Sequence, residues 1–362
     1  DSYLSEWLPY KQRYLQVLLD MEAPPSLRVC TLFQGDGTYR CTKCIHQPLF
    51  CSSCCRKEHK LQPFHHVEQW NGTFFEESSL WLARLVVHLG PGGDPCPSGG
   101  LDGEDITSDV EDEWEDIEDQ PKLHHFSPGI DRSCLTLVHT SGVHFCDVRY
   151  CNCPGAETSH LQLATSGLFP ATVKEPRTAF TFQVLNDFIW DNVECGTSAM
   201  NYYSKLWRVT SNAFPNLVLN RYRELLRLSR VWRLLKLSKW QGFHLGSPEP
   251  QKGELVLFCP ACPQSGVNIP HSENVDLADW KYSRTIVMDG NFKAKHMQPK
   301  NPANEVWLMN GIGFMVMMPA YKDYLARTLN QVEKSDCSNH RAVNQANANR
   351  NQLASTGIGG CV

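Results

Sequence analysis

Two C-x2-C pairs trailed by histidines, all within residues 41–66, constrain this chain more than any other feature. Cys41-x2-Cys44 and Cys51-x2-Cys54 are followed by His59 and the pair His65-His66, with Cys30 upstream. A C-x2-C pair sets two sulfurs on one tight turn facing a common point. Zinc in a structural site takes four thiolate or imidazole ligands at tetrahedral corners. Residues 30–70 hold too few aliphatic side chains to fold on a core alone, so the segment reads as a metal-organised module. The spacing suits a cross-brace. One site takes Cys41, Cys44, His59 and His65; the other takes Cys30, Cys51 and Cys54 with a fourth ligand that the spacing leaves unassigned. Closed by protein ligands, such zinc is structural, because no coordination position remains for a hydrolytic water.

The chain has 16 cysteines in 362 residues, and more of them fall in patterns of this kind. Cys96, Cys151 and Cys153, with His144 and Cys146 close in sequence, are either a further metal site or buried thiols. Cys259-x2-Cys262 is a knuckle in need of two more ligands, and Cys337-x2-His340 has the spacing to close a Cys3His set. A redox pair would want a thioredoxin-like setting that the surrounding sequence does not provide. Metal-type spacing favours a reducing compartment, cytosol or nucleus. No run of about eighteen apolar residues occurs, so no membrane span is expected.

Net charge is −5, but residues 101–120 hold eleven acidic side chains and no Lys or Arg. Apart from that strip the chain is mildly basic, which is compatible with nucleic-acid binding. The organisation expected is an N-terminal helix over 1–25, a cysteine-cluster zinc module over 26–98 and an acidic disordered insert over 99–128. Strands and a second cysteine cluster over 129–160 complete the module. A helical region spans 161–250, and a last segment, 251–362, turns to strands. In the first helix Leu4, Trp7, Leu8, Tyr14, Leu15, Leu18 and Met21 recur at helical spacing. Around 135–146 two alternating strands meet at a Ser141-Gly142 turn. Further on, strands are expected at 285–288 and 314–318, and a helix over about 321–334. Arg223, Arg227 and Arg230 fall on one helical face opposite Leu225, Leu228, Trp232 and Leu235, and that face either tracks phosphates or is simply solvated.

Tyr39-Arg40-Cys41-x2-Cys44, Phe50-Cys51-x2-Cys54-Cys55, His59, Pro63-Phe64-His65 and Trp70 resemble the B-box-like CxC-type cysteine cluster that precedes KDZ (Kyakuja-Dileera-Zisupton) transposases. In that family a further cysteine stands ahead of Cys30, where this chain has Leu27, and a histidine stands where it has Pro91. Leu168–Thr172, Pro176–Phe182, Arg221–Leu225, the run Cys259–Pro263 and Asp289-Gly290-Asn291-Phe292 resemble the KDZ lead-in. The resemblance implies an α+β chain: a small B-box-like zinc module, a helical middle region and the start of an RNase H-like (DDE) α/β core. It implies DNA strand cleavage and transfer on Mg²⁺ or Mn²⁺, with Asp289 as the first acid, a nuclear location and DNA as partner. Read without the resemblance, an Asp-Gly after a strand is more often a turn. One aspartate cannot hold two such ions, and the other acids are expected beyond Val362, so the chain is expected to be a C-terminally truncated fragment. The rival expectation is an inactive zinc-dependent adaptor that binds DNA or a protein partner through the module.

Overall fold

The computed structural model describes residues 2–23, 25–98, 134–264, 266–269, 279, 282–283, 287–291, 294, 296–299, 301, 303, 305–328, 352–355 and 357–361. The acidic insert, Cys337 and His340 lie outside the described residues. The chain divides into two units, residues 1–230 and 231–362.

The first unit opens with helix α1 (Ser2–Trp7), a 3-10 turn at Leu8–Tyr10 and helix α2 (Lys11–Glu22). The sequence pattern predicts one helix here. Pro9 divides it, because proline lacks the amide that a continuous ladder needs and fits the first positions of the 3-10 turn instead. The apolar stripe keeps its helical spacing but lies exposed, Leu4 and Leu18 among it.

Next come strands β1 (Tyr39–Cys41) and β2 (Leu49–Phe50), helix α3 (Ser52–Glu58), and strands β3 (Val67–Trp70) and β4 (Phe75–Ser78). The strands form one antiparallel sheet in the order β2-β1-β3-β4, with Cys41 opposite Val67 and Val67 opposite Ser78. Its core is small. Tyr39, Phe50, Val67, Leu80 and Leu85 pack with the buried sulfurs of Cys30, Cys41 and Cys55. Too little apolar surface is buried there to hold so short a sheet without a further tie.

Strand β5 (Val86–His88) leads into a second sheet with β6 (Cys134–His139), β7 (Gly142–Arg149), β8 (Leu168–Pro170) and β9 (Thr178–Thr181), interrupted by helix α4 (Ser159–Thr165). The order is β5-β7-β6-β9-β8. β6 is antiparallel to β7 and parallel to β9, and β5 is parallel to β7. The expected hairpin at Ser141-Gly142 is present. Gly142 is required twice over: its φ is +128°, and a Cβ there would stand 2.6 Å from the Thr210 hydroxyl oxygen. Strand β9 is buried along its whole length, so its Thr-Ala-Phe-Thr run shows no alternation to read. The segment 161–250, expected to be helical, therefore contributes two strands to a sheet begun before it.

Helices α5 (Phe182–Glu194), α6 (Ala199–Thr210) and α7 (Tyr222–Trp240) follow. Thr181 and Ser198 cap α5 and α6, their hydroxyls accepting from the amides of Val184 and Asn201. Along α7, Arg223, Arg227 and Arg230 are exposed while Leu225, Leu228 and Trp232 are buried. Leu235, expected on the buried face, is 46% exposed.

In the second unit the segment 253–255 is hydrogen-bonded to 311–312, and Leu255 is buried. Strand β10 (Met288–Asn291) pairs antiparallel with β13 (Ile358–Cys361), and β11 (His296–Met297) with β12 (Leu353–Ser355). Helix α8 (Met318–Arg327) begins where the sequence pattern predicts the end of a strand over 314–318. Residues 314–317 are irregular, and Pro319 in the first turn starts the helix. The described residues of 251–362 thus show two small ladders and one helix. Among the described residues no helix is long and apolar enough to cross a membrane.

Candidate metal centres

Four side chains converge between the first sheet and α3. Cys41 ends β1, and Cys44 follows on a turn closed by the Gln47 amide on the Cys44 carbonyl at 3.1 Å. His46 and Gln47 both take positive φ, a strained pair of non-glycine residues that tightens the knuckle. His59 closes the C-terminus of α3 and His65 sits on the loop before β3. Cys41 Sγ lies 3.2 Å from His59 Nε2 and 3.5 Å from His65 Nδ1; Cys44 Sγ lies 3.8 and 3.4 Å from the same two nitrogens. Zn–S bonds of about 2.3 Å and Zn–N bonds of about 2.0 Å give tetrahedral S···N edges of about 3.5 Å. The donor set and its spacing fit zinc.

The surroundings point the same way. His59 is fully buried, and its Nδ1–H donates to the Cys55 carbonyl at 2.8 Å, which leaves Nε2 to face the sulfurs, where it would take a zinc ion in place of its proton. Burial pushes the His59 imidazole down, but the Cys41 sulfur and the Cys55 side chain and carbonyl outweigh it and carry it up to about 11. Burial likewise opposes ionisation of Cys41, and the hydrogen bond from His59 overcomes it, so that thiol is lowered. Cys44 moves the other way, raised by burial and by Cys41, and His65 is lowered by burial and by His59; a zinc ion would supply positive charge among all four without the His59 proton.

A second group brings together Cys30, Cys51 and Cys54, their sulfurs all within 4.8 Å of one another. Burial raises the Cys51 thiol; the Ser53 hydroxyl at 3.3 Å and the Cys54 amide reverse this and bring it to about 7. The neighbouring Cys54 is pushed up to about 12 by burial and by Cys51 and Cys30. Cys55, although next in sequence, is buried among the module's apolar side chains.

The third group holds Cys96, Cys151 and Cys153. Cys96 Sγ is 3.6 Å from each of the other two sulfurs, far from the roughly 2.0 Å of a disulfide and close to the S···S edge of a zinc tetrahedron, about 3.8 Å. The Asn152 amide donates to Cys96 and the Ser98 hydroxyl to Cys153. His144, expected near this group, is elsewhere. β7 turns it inward, where its Nε2 meets the Ser141 hydroxyl at 2.9 Å and its ring lies 5.2 Å from that of His66. Cys146 is buried in the core of the second sheet.

His144 belongs to a polar seam that joins the cysteine module to the second sheet. His66 Nε2–H donates to the Ser141 carbonyl at 2.7 Å, the Ser141 hydroxyl donates to the Phe64 carbonyl at 2.9 Å, and Phe64 stacks on His139 at 4.6 Å. Sequence reasoning missed this seam. Its one signal is the second histidine of the His65-His66 pair, left over once His65 is assigned. The Ser53 and Ser98 hydroxyls were missed too, although each lies two residues from a cysteine of its group.

Cys259 and Cys262 form a turn, with the Cys262 backbone amide on the Cys259 carbonyl at 3.2 Å and the Asn268 side-chain amide donating to the Cys262 carbonyl at 2.8 Å. The Ala261 amide, then Cys262, hold the Cys259 thiol below its ordinary value. Their expected partners, Cys337 and His340, are outside the described residues. Asp289 lies on β10, opposite Gly360 of β13.

Two family models match the chain. The CxC2-like cysteine cluster associated with KDZ transposases matches residues 123–214, and the Kyakuja-Dileera-Zisupton transposase matches residues 282–362. Together the two matches are consistent with a KDZ transposase. The first covers the second sheet from β6 onward with Cys151 and Cys153, and leaves the first two cysteine groups outside; the second includes Asp289. No curated protein and no solved structure matches.

Proposed function

We propose that this chain is the zinc-binding, DNA-binding part of a KDZ-type transposase acting in the nucleus. The carrying observation is the Cys41–Cys44–His59–His65 group, whose S···N separations of 3.2–3.8 Å match the edges of a zinc tetrahedron. Zinc there would be structural: Cys41, Cys44, His59 and His65 would supply four protein donors and tie β1, α3 and the loop before β3 into one unit. Cys30, Cys51 and Cys54 would hold a second ion, Cys96, Cys151 and Cys153 a third, and the Cys259–Cys262 knuckle with Cys337 and His340 a fourth. Arg223, Arg227 and Arg230 supply an exposed basic stripe for DNA phosphates.

Asp289 lies within the transposase match and takes the place of the first acid in the Asp-Gly-Asn-Phe motif. Strand transfer on two Mg²⁺ or Mn²⁺ ions needs two or three converging carboxylates. Asp289 is the candidate for the first of these, and cleavage is assigned to the RNase H-like core expected of the transposase family.

Native mass spectrometry of the zinc-loaded chain, paired with duplex-DNA retention, tests the reading. Bound zinc that falls by about one ion in Cys41→Ser, with salt-sensitive DNA retention, is the expected result. A chain that binds no zinc under reducing conditions overturns it. Zinc with no DNA retention favours the adaptor that binds a protein through its module.

A further inference from the structure

A cavity of about 530 Å³ lies between the cysteine module and the second sheet. Lys43, Leu61, Phe64 and His65 of the module contribute to its walls, with Leu168 of β8 and Phe182 of α5 across from them. No aspartate or glutamate lines it. The volume is in the range of small-ligand sites.

Two donors in this wall have no acceptor among the described residues. His65 turns Nδ1 to the sulfurs of Cys41 and Cys44, at 3.5 and 3.4 Å. Zinc taken there leaves the ring's proton on Nε2, and the second N–H of a metal-bound imidazole is almost always given to an acceptor. His59 follows that rule with the Cys55 carbonyl. His65 is only half-buried, and nothing among the described residues accepts from its Nε2. The other donor is Lys43, in the middle of the Cys41-x2-Cys44 knuckle, where its backbone amide is bonded to Cys41. Its side chain is exposed and makes no ion pair among the described residues.

An imidazole N–H and an ammonium in a wall without carboxylates call for an anion. A phosphate has three acceptor oxygens, enough to meet both donors at once. The cavity is larger than a phosphate needs, and Leu61, Phe64, Leu168 and Phe182 offer the remainder an apolar and aromatic surface suited to a base.

We propose that this cavity takes a nucleotide, its phosphate accepting from His65 Nε2 and Lys43 and its base lying against the apolar wall. The inference rests on zinc at Cys41, Cys44, His59 and His65, which fixes the His65 proton, and makes no use of the arginines on α7. A free nucleotide and a nucleotide of a DNA strand offer the same group.

Isothermal titration calorimetry of the full zinc-loaded chain with thymidine 5′-monophosphate, thymidine and a short thymidine oligonucleotide tests it. The monophosphate should bind at least tenfold more tightly than the nucleoside. Lys43→Gln should weaken monophosphate binding about five- to tenfold, and Leu61→Glu, which sets a carboxylate in the wall, at least tenfold. Lys43 is exposed and Leu61 is 85% exposed, so neither change should lower the melting temperature. An oligonucleotide that binds more tightly than the monophosphate, and is weakened by the same two variants, identifies a DNA strand as the source. Equal affinity identifies the free nucleotide. A chain that holds its zinc by native mass spectrometry yet binds nucleoside and monophosphate alike overturns the proposal and leaves the zinc reading in place. Monophosphate binding unchanged in both variants overturns it as well.

Discussion

Cys41 and Cys55 are both fully buried cysteines in one small module, yet their surroundings assign them opposite tasks. Cys41 Sγ stands within 3.5 Å of two imidazole nitrogens on the side that faces Cys44, whereas Cys55 packs with Phe50, Val67 and Leu80 and meets His59 only at the far nitrogen, Nδ1, at 3.9 Å. Cys41→Ser should therefore lose one zinc per chain and unfold the module, because the binding free energy of a structural zinc, about 10–16 kcal/mol in small modules, is also folding free energy. Cys55→Ala should keep the zinc count and cost about 1–2 kcal/mol as a small packing defect. Metal content by mass spectrometry and urea denaturation separate the two. Gly142 gives a different test at the same scale. Gly142→Ala places a Cβ at positive φ and 2.6 Å from the Thr210 hydroxyl, which donates to the Leu206 carbonyl and accepts from the Val143 amide. We expect a loss of about 2–4 kcal/mol in denaturant unfolding, without loss of zinc.

The β6–β7 hairpin is where elements couple. It carries His139 and His144 into the seam against Phe64 and His66, and burial, the largest cause in each case, holds both imidazoles below their ordinary values. In the unfolded chain these histidines take up protons near pH 6.5, while in the folded chain they stay neutral to lower pH. The unfolded state then binds more protons in that window, so stability rises with pH there and falls on acidification below about 6.5. The slope should reach about 1.4 kcal/mol per pH unit for His144, and His144→Asn should flatten it. Chelated and zinc-loaded samples, unfolded side by side in urea at pH 7 and pH 5.5, separate this slope from acid release of the metal. The hairpin's strands and turn were legible in the sequence, because Ser141-Gly142 punctuates two apolar runs. Its partners were not. β6 pairs with β9 across some forty residues, and nothing in either run encodes that register. The convergence of Cys41, Cys44, His59 and His65 was legible to the residue because C-x2-C spacing is local turn geometry, followed by histidines from one helix end and one loop. His144 was misplaced for the complementary reason. Closeness in sequence to Cys151 says nothing of which face of β7 a side chain takes.

Over the whole molecule the proposed DNA contact has two candidate surfaces, and salt and chelator together separate them. The exposed arginines of α7 belong to a helix held by Leu225, Leu228 and Trp232, with no metal ligand along it. Retention through that stripe should survive removal of zinc from the cysteine module, whereas retention through the module should vanish with it. Each phosphate neutralised steepens the fall of log K with log salt by about 0.9. Replacing Arg223, Arg227 and Arg230 together by Gln should therefore flatten the slope by about 2–3 and weaken binding with little regard to duplex sequence. An unchanged slope in the triple variant, with binding lost on chelation, would hand the DNA contact to the zinc module. The arginines would then be a solvated face whose charges serve only to keep α7 turned with its leucines inward.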